Sequence, residues 1–598
     1  MNQNLLSLSL FLLSTGVVPA APQGNAIPDR AALEAEFEKQ MSGSQMVGRF
    51  ITSGSDRTAQ PDSYTISKVT KVKGDDWRFD VKIEYAGLSV TVPLVVQVIW
   101  AGDTPMIQVT ELAVPMLGTF SARVAIYGDE YAGLWSGGDH GGQMYGKIEA
   151  DSQGNGSAPS SDEPSWASWR GPLGIGVAPT GNPPIEWSED KNIRWKVPIP
   201  GLGLSSPIVL NDRIYVTTSI ETERDGAPPQ VERTGAGRGD RGRGGRRRRG
   251  GRGGGGGMGG ATPTKIHEFV VLALDRADGS VVWRTTVAEA LPHEAGHPTG
   301  SLASHSPWTD GEHIIVSFGS RGLHCLNMAG EIQWSKQFDP MKSRGGFGEG
   351  SSPGVYGDTV VLQYDHEGDS FIAAFEKSTG QELWRTAREE GTSWSTPLIA
   401  EVDGLVQVIT AATNASRSYD LRTGEVIWSL PGLGPNVVSM PILVGDIVYL
   451  MSGYQSYHFQ AVRLSGARGD LTGQDKVLWS YDRNTSFVPS ALVYDDFVYF
   501  FRGFTGVLTC LNVNTGEVHY EGSRIGLRQV YSSPVGVAGR VYLTSREGIT
   551  KVIKLGGTYE ELATNQLDDA IDASAAIVGD ELFLRGRANL YCIANTDR

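Results

Sequence analysis

Residues 351–362 read SSPGVYGDTVVL, and this string decides the fold because versions of it occur eight times along the chain. The others are SSPIVLNDRIYV from Ser205, HSPWTDGEHIIV from His305, STPLIAEVDGLVQVI from Ser395, SMPILVGDIVYL from Ser439, PSALVYDDFVYF from Pro489, SSPVGVAGRVYL from Ser532 and ASAAIVGDELFL from Ala573. Their third residues, Pro207, Pro307, Pro353, Pro397, Pro441, Ala491, Pro534 and Ala575, lie 100, 46, 44, 44, 50, 43 and 41 positions apart. A period of roughly 40 to 50 residues is one four-stranded blade, so the repeat predicts an all-β, eight-bladed propeller over residues 166–598. The long first step marks an insertion into blade 1.

A second string follows the first at fixed spacing. The pairs Gly279/Trp283, Gly330/Trp334, Gly380/Trp384, Gly424/Trp428 and Gly516/Tyr520 each close a tight turn and then place an aromatic on the outer strand, and Trp479 fits after a longer turn. Glycine accepts the positive φ of such a turn, and the ring is expected to pack between neighbouring blades. After the last copy the chain ends without a further aromatic string, but Trp195 stands twelve residues before Pro207, as Trp479 does before Ala491. The segment around Trp195 is therefore expected to supply the outer strand of blade 8 and close the ring. Cys325 in LHCLN, Cys510 in LTCLN and Cys592 in LYCIA occupy one repeat position on different blades. They are too far apart for a disulfide and are read as buried thiols.

These strings, with WASWRGPLGIGV from Trp166, GEGSSP from Gly348, TSWSTP from Thr392 and IDASAAIVGDELFLRG from Ile571, resemble the exported β-propellers of the pyrroloquinoline-quinone (PQQ) repeat family, BamB-like. The resemblance implies the fold across about 430 residues. One propeller scaffold hosts enzymes, receptors and scaffolds alike, so function has to be argued from the site.

Ahead of the repeats, residues 31–150 follow another pattern. WRFDVKIEY alternates apolar Trp77, Phe79, Val81, Ile83 and Tyr85 with charged residues, as a half-buried strand does. With similar stretches at 64–72, 90–100, 106–114 and 119–127, and a short helix at 31–41, it predicts a small antiparallel, lipocalin-like β-barrel, more readily filled by its own side chains than by a ligand. The opening MNQNLLSLSLFLLSTGVVPAAPQ reads as a secretory signal peptide over residues 1–21, with an apolar stretch too short to span a bilayer. The expected location is periplasmic or extracellular. No transmembrane segment is expected, and no lipid anchor, since the first cysteine is Cys325. Residues 151–165 read as a polar linker.

The net charge of −15 argues against nucleic acid as a partner. The exception is local: residues 222–265 carry eleven Lys or Arg against four Asp or Glu, including GRGDRGRGGRRRRGGRGGGGG. This stretch is read as a disordered Arg/Gly-rich insertion, either merely solvated or touching anionic surfaces.

His293-Glu294-Ala295-Gly296-His297 fits H-E-x-x-H, which binds zinc when both histidines share a helical face. Pro292, Gly296 and Pro298 oppose that helix, and Ala303 stands where a third ligand would fall. A zinc metalloprotease is accordingly the remotest alternative, and no metal is expected. The same segment lengthens an inter-blade loop: Trp283 to Pro307 spans 24 residues where Trp384 to Pro397 spans 13. Such loops ring one mouth of the central channel, the usual ligand face of a propeller, and they carry the candidate binding residues His297, Arg344, Trp394, Asn436, Arg528 and Asp569. DHEGD from Asp365 is read as a hairpin loop rather than a cation site. Without an intact catalytic constellation, the expectation is a non-catalytic binding or scaffold protein of the cell envelope, taking an envelope protein or small ligand at the channel mouth and needing no cofactor. The alternative is a PQQ-dependent quinoprotein dehydrogenase, in which Trp394 would stack on the quinone above a calcium ion. Family enzymes of that kind often carry a disulfide between adjacent cysteines, and this chain has no such pair.

Overall fold

A computed structural model describes residues 30–52, 60–85, 88–114, 118–137, 140–150, 164–226, 260 and 263–596. The signal peptide, nearly all of the linker and the centre of the Arg/Gly-rich insertion lie outside the described residues. The chain divides into two compact units. Among the described residues no helix is long and apolar enough to cross a membrane.

The first unit is a helix α1 (Arg30–Met41) followed by eight strands in a closed barrel: β1 (Ser44–Thr52), β2 (Gln60–Lys73), β3 (Asp76–Tyr85), β4 (Leu88–Ala101), β5 (Thr104–Val114), β6 (Gly118–Tyr127), β7 (Glu130–Gly137) and β8 (His140–Ala150). β8 returns antiparallel to β1, pairing Met46 with Ile148. Trp77, Phe79 and Val81 point inward as the alternation predicts. Phe37 of α1 fills the space among them, 5.3 Å from the Trp77 ring and 6.0 Å from Trp100. The strands β1, β7 and β8 were not among those expected, because glycine dilutes their alternation. At Gly48 a Cβ would lie 2.3 Å from the Tyr131 hydroxyl and 2.2 Å from the Tyr145 carbonyl, so the close approach of neighbouring chains excludes a larger residue there.

The second unit is the eight-bladed propeller. Blades 1 to 7 each take their four main strands in chain order, from inner strands such as Ile208–Leu210 and Gly354–Tyr356 to outer strands such as Val281–Ala290 and Glu382–Ala387. Blade 8 takes its outer strand from β9 (Ile193–Pro198), which pairs Trp195 with Cys592, so the ring closes as the position of Trp195 implied. Blade 4 gains a short fifth strand, Gly469–Asp470, from the long turn ahead of Trp479.

The serine of the repeat has a direct explanation. The inner strand of a blade has a free edge facing the channel, and proline tolerates such an edge because it needs no ladder partner. The preceding N–H groups are satisfied across blades: Ser206 N–H donates to Ser306 Oγ (3.0 Å), Ser306 to Ser352 (2.9 Å), Ser490 to Ser533 (2.9 Å) and Ser533 to Ser574 (2.8 Å). Arg585 closes the circle from blade 8 to blade 1 by donating to Ser205 Oγ at 2.6 Å.

The tryptophans form a second circle. Trp195, Trp283, Trp334, Trp384 and Trp479 each donate their indole N–H to a backbone carbonyl of the following blade, as Trp334 does to Lys377 at 2.7 Å. The turn glycine of that blade lies flat on the ring: a Cβ at Gly380 would lie 2.6 Å from Trp334. Trp428 departs from the pattern and donates to Gln407 Oε1 within its own blade (3.0 Å), where Gly469–Asp470 covers it. Cys325, Cys510 and Cys592 are buried free thiols on third strands, with burial pushing the Cys325 and Cys510 pKa up to about 12.

Candidate functional site

Inner strands begin at the serine circle, so the inter-blade loops and the hairpins joining second to third strands share that end of the channel. The opposite end is crossed by residues 164–178. Trp166 pairs with Val209 of blade 1, Ala167 accepts from Thr309 of blade 2, and Val177 bridges to Gly536 of blade 7. Arg170, 1% exposed, enters between blades and donates to the carbonyls of Pro534 (2.7 Å), Ala491 (2.9 Å) and Ile175 (2.9 Å). Burial lowers its pKa to about 9. The serine end is thus the one that residues 164–178 do not cross.

Loops around this mouth are tied to one another. His297 N–H donates to the Phe347 carbonyl (3.0 Å), Arg344 N–H to Thr392 Oγ1 (2.9 Å), and Trp394 donates from its backbone to Val437 and from its indole to Gly348, both at 2.7 Å. His297, Arg344 and Trp394 therefore sit on linked loops of blades 1 to 4, the first two exposed and the third half-buried. Burial and the Arg546 charge lower the His297 pKa. Arg528 is exposed between blades 6 and 7. Asn436 is only 2% exposed, at φ 59°. The Asp569 carboxylate accepts from the backbone N–H groups of Arg587, Ala588 and Asn589, so it holds a turn of blade 8.

Behind Trp394 lies a cavity of about 10 Å³, room for roughly one water molecule. Its lining includes His305 and Gln363, each with a buried atom lacking a partner, Nδ1 and Oε1 respectively. Burial drops the His305 pKa to about 4. Asp365 alongside is fully buried in a two-pronged pair with Arg388 (2.7 and 3.0 Å) and also accepts from Gln363 and Ser393. DHEGD is indeed the hairpin between Thr359–Tyr364 and Phe371–Glu376.

The H-E-x-x-H residues diverge. Residues 291–300 contain no helix. His293 Nε2 donates to the Met341 carbonyl at 2.6 Å, and Glu294 accepts from Ser343 N–H at 3.0 Å. His297 Nδ1 instead meets Thr299 Oγ1 at 2.8 Å. Among the described residues no group of three or more acidic, histidine or cysteine side chains is placed to hold a metal.

The insertion is narrower than its composition implied. Arg213–Asp225 is one continuous strand that pairs Asp225 with Lys265, so Thr222 to Asp225 and Lys265 are ordered, because their backbone groups extend the ladder of blade 1. Its described ends, Asp225 and Lys265, lie at the serine end of the channel. The second-to-third-strand hairpins of blades 5 to 7 share that face through Tyr454, Phe504 and Arg546, none of which was among the residues expected from the inter-blade loops. An aromatic at a hairpin tip, where polar residues are usual, was the available signal.

Residues 267–519, from the third strand of blade 1 into the outer strand of blade 6, match the family described as outer membrane protein assembly factor BamB. The second unit, an eight-bladed propeller, is similar to that family over those residues. No curated protein matches the chain. Similar solved structures include BamB from Moraxella catarrhalis (15% identity, TM-score 0.40, 56% of this chain and 94% of that one). A europium-containing methanol dehydrogenase also appears (12%, 0.36, 71% and 90%), as does the quinohemoprotein alcohol dehydrogenase from Comamonas testosteroni (13%, 0.36, 73% and 81%). All three likenesses are remote.

Proposed function

We propose that the protein is an exported, non-catalytic binding module of the cell envelope whose ligand face is the serine-end mouth of the propeller. The observation that carries this reading is the asymmetry of the channel: residues 164–178 cross one end, while the loops at the other are knitted into a rigid rim presenting His297, Arg344, Trp394 and Arg528. Preorganised loops lose little entropy on binding a partner. The match to the BamB family supports an envelope protein as that partner and a periplasmic location.

A PQQ and calcium site fits this mouth poorly. The Asp365 and Asp569 carboxylates are committed to Arg388 and to backbone N–H groups, and the Trp394 indole is tied to Gly348. Chemical crosslinking of the exported protein in envelope fractions tests the reading. Expected is capture of a defined envelope protein, lost when Arg344 and Trp394 are both replaced by alanine. Dye-linked oxidation of an alcohol or sugar after addition of PQQ and calcium would overturn it.

A further inference from the structure

On blades 5 to 7 the mouth carries a run of rings. Tyr454 on the blade 5 hairpin meets Phe487 on the next inter-blade loop, centroids 4.7 Å apart. Phe487 meets Phe504 on the blade 6 hairpin at 6.3 Å. Phe504 stacks on Tyr531 of the following loop at 5.5 Å and 16°. Arg546 of the blade 7 hairpin lies over Tyr531 at 3.9 Å and is held by Asp572 at 2.6 Å. The backbone beneath is pinned: Phe487 N–H donates to Gly503 (3.0 Å), Val530 to Phe504 (2.8 Å) and Arg546 to Gln529 (3.1 Å). Phe504 is nevertheless 40% exposed. A phenylalanine standing in water at a hairpin tip, in line with further rings, marks an interaction surface rather than a packing element.

We propose that this run is a track for an extended polypeptide segment bearing alternate aromatic side chains together with carboxylates. The inference rests on the binding-module reading and names the partner chemistry of the same mouth. Three features lead there. Successive rings touch, 4.7, 6.3 and 5.5 Å apart, so they make a continuous line along which an extended chain can lie rather than one isolated pocket. The ring faces are partly used on one another, which leaves edges for inserted side chains and little open face on which a sugar would lie. Arg502 and Arg528 flank the run, exposed and without an ion-pair partner among the described residues, and guanidinium groups take carboxylates in two-pronged fashion. Rings with arginine are also the composition that protein interfaces favour.

The test uses the full-length protein and a fluorescein-labelled decapeptide alternating phenylalanine with aspartate, read by anisotropy. Comparison peptides carry lysine for aspartate or serine for phenylalanine, and a labelled acidic oligosaccharide represents a glycan ligand. Expected is binding of the first peptide alone, weakened about tenfold or more by Phe504→Ser and by the Arg502→Glu, Arg528→Glu pair, and kept by Phe504→Tyr, with unfolding temperatures close to wild type. Absence of binding, equal binding by all variants, or tighter binding of the lysine peptide or the oligosaccharide overturns the proposal. Envelope crosslinking that persists in Phe504→Ser removes the track while leaving the binding module. Peptide binding by a protein that also shows quinone-dependent oxidation removes the binding-module reading while leaving the track.

Discussion

His305 and His324 are 2% and 1% exposed, and burial lowers both pKa values to about 4. They are neutral in the folded protein, whereas the unfolded chain takes up a proton on each below about pH 6.5. Their contribution to stability is therefore complete above pH 6.5 and is lost as pH falls toward 4, amounting to a few kcal/mol at most. Urea unfolding from pH 7 to pH 4 is expected to show this loss, with a shallower slope in His305→Asn and His324→Gln. A slope unchanged in both variants would assign the acid sensitivity to other groups. His305 was legible as part of a repeat string, but its protonation was not. That depends first on burial by elements from elsewhere in the chain, with Arg321 lowering the pKa further and Glu349 opposing the shift.

At the scale of the element, the Gly-to-Trp spacing was readable because a tight turn and an outer strand are local. What the glycine is for is a property of two blades. Gly380 and Gly404 have nearly the same backbone, φ 70° and 71°, yet a Cβ at Gly380 meets Trp334 at 2.6 Å while one at Gly404 meets nothing within 4 Å. Both alanine variants bear the strain of positive φ. Gly380→Ala is expected to cost about 1–3 kcal/mol more than Gly404→Ala, measured as a difference in denaturation midpoint. Equal costs would show that the ring yields. The barrel illustrates the opposite limit. Stretches of β2 to β6 announced themselves by period-two alternation, whereas β7 and β8, with Gly133, Gly137, Gly141 and Gly146, did not, because their glycines answer to neighbouring strands.

For the whole molecule, the Arg/Gly-rich insertion connects the second and third strands of blade 1 at the serine end of the channel, its described ends joined by the Asp225 to Lys265 pairing. Removing residues 227–259 and rejoining the strand ends through a short Gly/Ser turn is expected to leave the unfolding temperature within a few degrees, since each doubling of a flexible loop costs only about 0.6 kcal/mol. A large drop by differential scanning calorimetry would mean that the segment packs on the fold. Taken alone, the sequence determined the eight blades, the closing role of β9 and the set of loops at one mouth, because a repeat writes the same local physics eight times and its period is visible without coordinates. Only the tertiary structure decided which end of the channel residues 164–178 cross, that Asp569 and Asp365 are committed to internal partners, and that Tyr454, Phe487, Phe504 and Tyr531 form one run. Those facts join groups from tens to hundreds of residues apart, and burial, hydrogen bonding and ring stacking between such groups exist only once the blades have closed.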